Sequence, residues 1–205
     1  MNMNSDKITD FKIGKVQVMM EEYKSLRSES LQSMGNRNSI LTFGLGTIGL
    51  IFHAGISIIN TQDVFSFLIF SFFLPVLSLL LLVLWMGEAE RISRVGVYLV
   101  DFEKKVNEIF KNDEQLRQLL HWETWLREFK QSKNRTNQLL YPYLAVVILF
   151  LGISISSYIF ILIYSHFNEQ YMSINVWIKK PIMIVTPIMV LLTIIWTIIK
   201  GKSFE

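Results

Sequence analysis

The sequence predicts an all-α membrane protein, with four transmembrane helices extended by a three-helix region outside the bilayer. Three observations point there. Four apolar runs, Ile40–Ile59, Phe65–Trp85, Tyr143–Tyr164 and Pro181–Ile199, punctuate the 205 residues. Each is about 20 residues long, which at ~1.5 Å of helical rise per residue covers a ~30 Å hydrocarbon core. Hydrophobic residues make up 51% of the chain, and the 15 phenylalanines fall mostly in or beside these runs. The charged residues are instead gathered between the second and third runs and before the first. The expected order is an N-terminal helix (1–39), a first membrane hairpin (40–85), a polar helical hairpin (86–140), a second membrane hairpin (141–199) and a short tail (200–205).

Charge placement predicts orientation. Six basic residues precede Ile40, ten lie in the connector 86–140, and Lys200 and Lys202 follow the last run. Only Lys179 and Lys180 fall on the other side. The positive-inside rule therefore places both termini and the connector in the cytoplasm. The first run begins late and is too long for a signal-peptide core, so it is expected to persist as a span. Four spans in a chain of this length leave no room for a separate soluble enzyme domain. With no cysteine, thiol and disulfide chemistry is excluded. His53, His121 and His166 show no metal-ligand spacing, no nucleophile–base pair is evident, and no metal, cofactor or enzymatic activity is expected.

The N-terminal segment reads as an amphipathic helix from about Thr9 that continues into span one, with Val16, Met19, Met20, Tyr23, Leu26, Ser30 and Met34 at helical spacing and only Gly35 as a candidate stop signal before Ile40. In span one, Gly44-Leu45-Gly46-Thr47-Ile48-Gly49 matches a phosphate-loop pattern. It lies inside a continuous apolar run with no strand before it and no turn, so the nucleotide reading fails. Ser39, Thr42, Gly46, Gly49, His53 and Ser57 instead recur every three or four residues and form one small, polar face. Two roles fit such a face in lipid: close helix packing, or the lining of an aqueous path. They coincide if copies of span one surround an axis. His53 is the one intramembrane side chain with a pKa near neutrality, and it sits toward the outer end of its span. No Asp, Glu, Lys or Arg occupies a span core, which weighs against an ion-coupled transporter.

Span two carries Pro75 near its middle, on a face with Ser71 and Ser78; it predicts a kink that is either structural or a gating hinge. Beyond it, Ile92, Val95, Leu99, Phe102, Val106, Ile109 and Phe110 continue the helix out of the membrane. Asn112-Asp113 marks a turn, with Asp113 able to cap a second helix whose apolar side is Leu116, Leu119, Leu120, Trp122, Trp125, Leu126 and Phe129. The two connector helices, of roughly 20 residues each, pair with the N-terminal helix. Lys104, Lys105, Lys111, Arg127, Lys130, Lys133 and Arg135 are candidates for binding a nucleotide or nucleic-acid phosphate. Nine acidic residues in the same connector make a solvated, mixed-charge face the competing reading. Spans three and four present Ala145, Gly152 and Ser156 on one face and Thr186, Thr193 and Thr197 on another.

Short patterns outside the spans carry a resemblance. Glu22-Tyr23, Leu26-Arg27-Ser28-Glu29 and Arg37 precede span one; Val97-Tyr98 and Glu103 follow span two, and then comes Trp122-Glu123. With the four-span layout, these resemble small membrane effectors of bacterial anti-phage (abortive infection) systems, the Hailong-type channel effectors among them. The resemblance implies a homo-oligomeric channel controlled by DNA, or a nucleotide signal, made by a partner nucleotidyltransferase. Arg27, Glu29, Tyr98, Glu103, Trp122 and Glu123 are expected to form a structural network that fixes helix register. The function expected is a cytoplasmically gated pore acting by membrane depolarisation. The alternative is a non-conducting, membrane-anchored scaffold that recruits a soluble partner.

Overall fold

The computed structural model describes residues 3–61, 63–111, 120–131, 136–167 and 176–202, and every regular element among them is helical. The helices are α1 (Met3–Ser57), α2 (Asp63–Leu68), α3 (Leu74–Ile109), α4 (Trp122–Gln131), α5 (Thr136–Phe167) and α6 (Val176–Lys202); a π-helical turn, Ile69–Phe73, links α2 to α3. Four helical stretches are long and apolar enough to cross a membrane, as in a multi-pass membrane protein. Two compact units divide the chain: Met1–Gly35 with Glu88–Leu139, and Asn36–Gly87 with Leu140–Glu205.

Within the second unit the core is made where the spans meet. Phe67, Phe70, Leu74, Leu82, Trp85, Phe150 and Ile161 are all buried. Phe70 packs edge-on to Phe52 at 5.5 Å and against Phe160 at 4.9 Å. Gly55 makes room for that cluster: a Cβ there would lie 2.8 Å from Phe70 Cε2 and 2.9 Å from Ile69 Cγ2. Gly44 plays the same part against Leu81, at 2.9 Å. Gly44, Ile48, Ile51 and Gly55 thus form the inward face of α1, and Ile59 is buried just beyond its end.

Two prolines, Pro75 and Pro187, are handled by hydroxyls. Proline has no N–H to donate to the carbonyl four residues earlier, and in lipid no water replaces it. Pro75 leaves the Ser71 carbonyl without its helical donor, and the buried Thr186 hydroxyl donates to it at 2.8 Å. Pro187 does the same to the Met183 carbonyl, which accepts from the Tyr158 hydroxyl at 3.0 Å. The π turn ends two residues before Pro75, and Leu74 N–H bonds back to the Ile69 carbonyl. Ser78 Oγ also donates to the Phe150 carbonyl at 2.6 Å, tying α3 to α5. Pro75 therefore introduces an irregular turn whose freed carbonyl is held by α6.

In the first unit Ser30 and Ser33 of α1 are buried, and the ring of Tyr23 on α1 lies 6.0 Å from that of Phe102 on α3. The predicted inward face of α3 is present, with Val95, Leu99, Phe102 and Val106 buried. Three expectations need correction. The first helix starts at Met3 rather than near Thr9, although it runs on through Gly35 into span one as expected. Met34, assigned to its apolar side, is 42% exposed. The second connector helix starts only at Trp122: Leu120 lies outside it, because its N–H and C=O are both engaged by the Asn107 side chain. Asp113, Leu116 and Leu119 lie outside the described residues.

Candidate functional site

Two sets of residues merit functional attention. The first surrounds the start of α4. Glu103 and Asn107 are one helical turn apart on α3, so both face the same neighbour. Asn107 brackets Leu120, its amide donating to the Leu120 carbonyl at 2.7 Å and its oxygen accepting the Leu120 N–H at 3.2 Å. Glu103 is fully buried. Its Oε1 accepts the Glu123 N–H at 2.9 Å; its Oε2 accepts the Thr124 N–H at 2.9 Å and the Thr124 hydroxyl at 2.8 Å. A carboxylate from one helix thus caps the N-terminus of another, where the amide dipoles favour negative charge. Burying it is tolerable because its oxygens are met by three donors.

Glu123 in turn pairs with Arg27 of α1, whose guanidinium also lies 5.9 Å from the Trp122 ring centroid. Tyr23 completes the cluster. Burial, then the negative charge of Glu103, raises its phenol above the ordinary tyrosine range, against a smaller opposing effect of Arg27. The structure brings Arg27, Glu103, Trp122 and Glu123 together. It sets the other two of the expected network in separate pairs: Glu29 accepts from Arg91 Nε at 2.8 Å, and the Tyr98 hydroxyl donates to Glu22 at 2.9 Å. Asn107, Thr124 and Arg91 were not singled out from sequence. The i,i+4 spacing of Glu103 and Asn107 was the available signal.

No family model, curated protein or solved structure matches the chain. Its chemistry is accordingly read from its own side chains.

The basic candidates do not assemble into one described site. Lys104, Lys105 and Lys111 are exposed, and Lys104 makes only a 4.0 Å pair with Asp101. Arg127 and Lys130 fall on α4, but their side chains lie outside the described residues, as do Lys133 and Arg135 altogether. Beside them, Trp122 and Trp125 are half exposed and stack at 5.6 Å.

The second set is the α1 stripe. Ser39, Thr42, Gly46, Gly49, His53 and Ser57 are all exposed, and a Cβ at Gly46 or Gly49 would meet nothing within 4 Å. At ~100° per residue the stripe lies nearly opposite the inward face through Gly44 and Gly55. The hydroxyl of Ser57 donates to the His53 carbonyl at 2.9 Å, and neighbouring Thr47 bonds the Phe43 carbonyl at 2.8 Å. Such back-bonding lets a hydroxyl sit in lipid or against another helix without an unpaired donor.

Proposed function

We propose that the chain is a membrane pore built from several copies, gated by a phosphate-bearing ligand on its cytoplasmic helices, and acting by depolarising a bacterial inner membrane. The observation that carries this reading is that all six residues of the α1 stripe are exposed in a single chain. Close packing inside the protomer is assigned to Gly44 and Gly55, so the small, polar face is left for other copies or for water. Four mostly apolar spans supply little else to wet a path. In this reading the first unit is a cytoplasmic three-helix region formed by α1, α3 and α4. Lys104, Lys105, Lys111, Arg127, Lys130, Lys133 and Arg135 supply the positive charge for a DNA or nucleotide signal. The anti-phage role rests on the resemblance of the short patterns named above.

The test is membrane potential, read with a voltage-sensitive dye, in bacteria expressing the chain alone and with a candidate nucleotidyltransferase. Depolarisation that Gly46→Leu abolishes supports the pore. A chain that never depolarises, in either setting, refutes it. The second reading, a non-conducting scaffold, is favoured by the exposed Trp122–Trp125 pair, a surface suited to a protein partner. It predicts that stripe substitutions leave partner recruitment intact.

A further inference from the structure

Arg37 lies three residues before the first apolar run, Trp85 ends the second and Tyr143 opens the third. The three meet in the second unit. The Arg37 guanidinium lies 4.4 Å from the Trp85 ring centroid and 5.1 Å from that of Tyr143, and the two rings are edge-to-face at 5.2 Å. Arg37 Nη1 reaches the Tyr143 hydroxyl only at 3.4 Å. Among the described residues Arg37 makes no ion pair, in contrast to Arg27 and Arg91. Its charge is held by aromatic faces, an arrangement that leaves the edges of the guanidinium, where its N–H groups lie, for another acceptor.

Two buried polar atoms of this cluster lack a hydrogen-bond partner among the described residues, and both are of one kind. Arg37 Nε is buried with no acceptor, and so is Trp85 Nε1 on a residue only 1% exposed. Both atoms are donors and neither can accept, so the missing group bears oxygen acceptors, and the unneutralised charge makes it an anion. Arg37 as a residue keeps partial exposure, although its Nε is buried, so part of the side chain can be reached from outside the cluster. These residues sit at the ends of apolar runs, the level where lipid phosphates lie and where Trp, Tyr and Arg anchor spans. A planar guanidinium matches a phosphate oxygen pair.

We infer that Arg37, Trp85 and Tyr143 form a binding site for a phosphate-bearing anion at the membrane interface. The Arg37 fork binds the phosphate, the rings hold the fork in place, and the site opens slightly around Trp85 to let its indole N–H join. The phosphate is that of an anionic lipid headgroup or a free phosphate, and the two sources are separable.

The experiment uses the full chain in mild detergent, with native mass spectrometry counting bound phosphatidylglycerol against phosphate-free diacylglycerol. Retention of phosphatidylglycerol but not diacylglycerol is expected, weakened about tenfold by Arg37→Gln through loss of the charge-assisted bonds. Arg37→Lys keeps the charge without the fork and falls between the two. Millimolar inorganic phosphate that displaces the lipid assigns the site to soluble phosphate; lipid that stays bound assigns it to the headgroup. Equal binding of phosphatidylglycerol by wild type and Arg37→Gln overturns the inference. If Arg37→Gln does not fold, Arg37→Lys with unchanged phosphatidylglycerol retention does so.

Discussion

Replacing Thr186 by Val removes one hydroxyl while nearly keeping the side-chain volume, so its effect isolates the bond to the Ser71 carbonyl. That bond is 2.8 Å long and Thr186 is fully buried, so no solvent substitutes for it. Hydrogen bonds between membrane helices contribute about 0.6 kcal/mol on average and up to ~1.7 kcal/mol. Here the acceptor has already lost its helical donor to Pro75, which puts the expected cost at the upper end, about 1.5 kcal/mol. Pro75→Ala restores a backbone N–H that can reach Ser71 once the π turn at Ile69–Phe73 relaxes. In that background Thr186→Val should cost under about 0.5 kcal/mol, for a coupling near 1 kcal/mol across the double-mutant cycle. Unfolding in mixed micelles, followed by tryptophan fluorescence and circular dichroism, measures all four variants. Equal costs of Thr186→Val in both backgrounds would refute the idea that the hydroxyl answers the proline.

Other substitutions probe separate features. Gly55→Ala forces a methyl group to within 2.8 Å of the buried Phe70 ring, so it should destabilise by ~1–3 kcal/mol, whereas Gly46→Ala meets nothing and should leave thermal stability in dilute detergent unchanged or slightly raised. Glu103→Gln exchanges one accepting oxygen for a donor facing the α4 amides; a loss of about 1–2 kcal/mol should appear as faster hydrogen exchange at Glu123 and Thr124 with little change in α5 or α6. The raised phenol of Tyr23 contributes stability that is complete below the ordinary tyrosine pKa and is lost as pH rises through its higher folded value. Alkaline titration should therefore weaken the wild type more than Tyr23→Phe, and matching curves would remove Tyr23 from the cluster.

The four spans and the helical character of the connector were legible because length and hydropathy are local properties. The face of α3 through Val95, Leu99, Phe102 and Val106 was legible too, since charged residues between these positions mark the opposite side of the helix. Inside the membrane that contrast vanishes: a side chain facing lipid and one facing a neighbour are equally apolar, so periodicity could not say that Gly44 and Gly55 pack inward while Gly46 and Gly49 do not. Partners far apart in sequence were hidden for a different reason. Thr186 is 115 residues from Ser71, and nothing beside Pro75 indicates which helix supplies its hydroxyl. The boundary of α4 was misplaced because an Asn side chain, rather than a turn residue, decides where its backbone bonds begin.

The opposed faces of α1 bear on the order of events during biogenesis. The inward face is filled by groups of the same chain, Leu81, Ile69 and Phe70, so a newly inserted protomer can complete its own packing without waiting for another. Any association through the outward face then joins finished pieces, with no core to be reopened. Dilution within the bilayer would separate such pieces reversibly while each stayed folded. Abundance in the membrane, rather than folding, would then set when the assembled form exists.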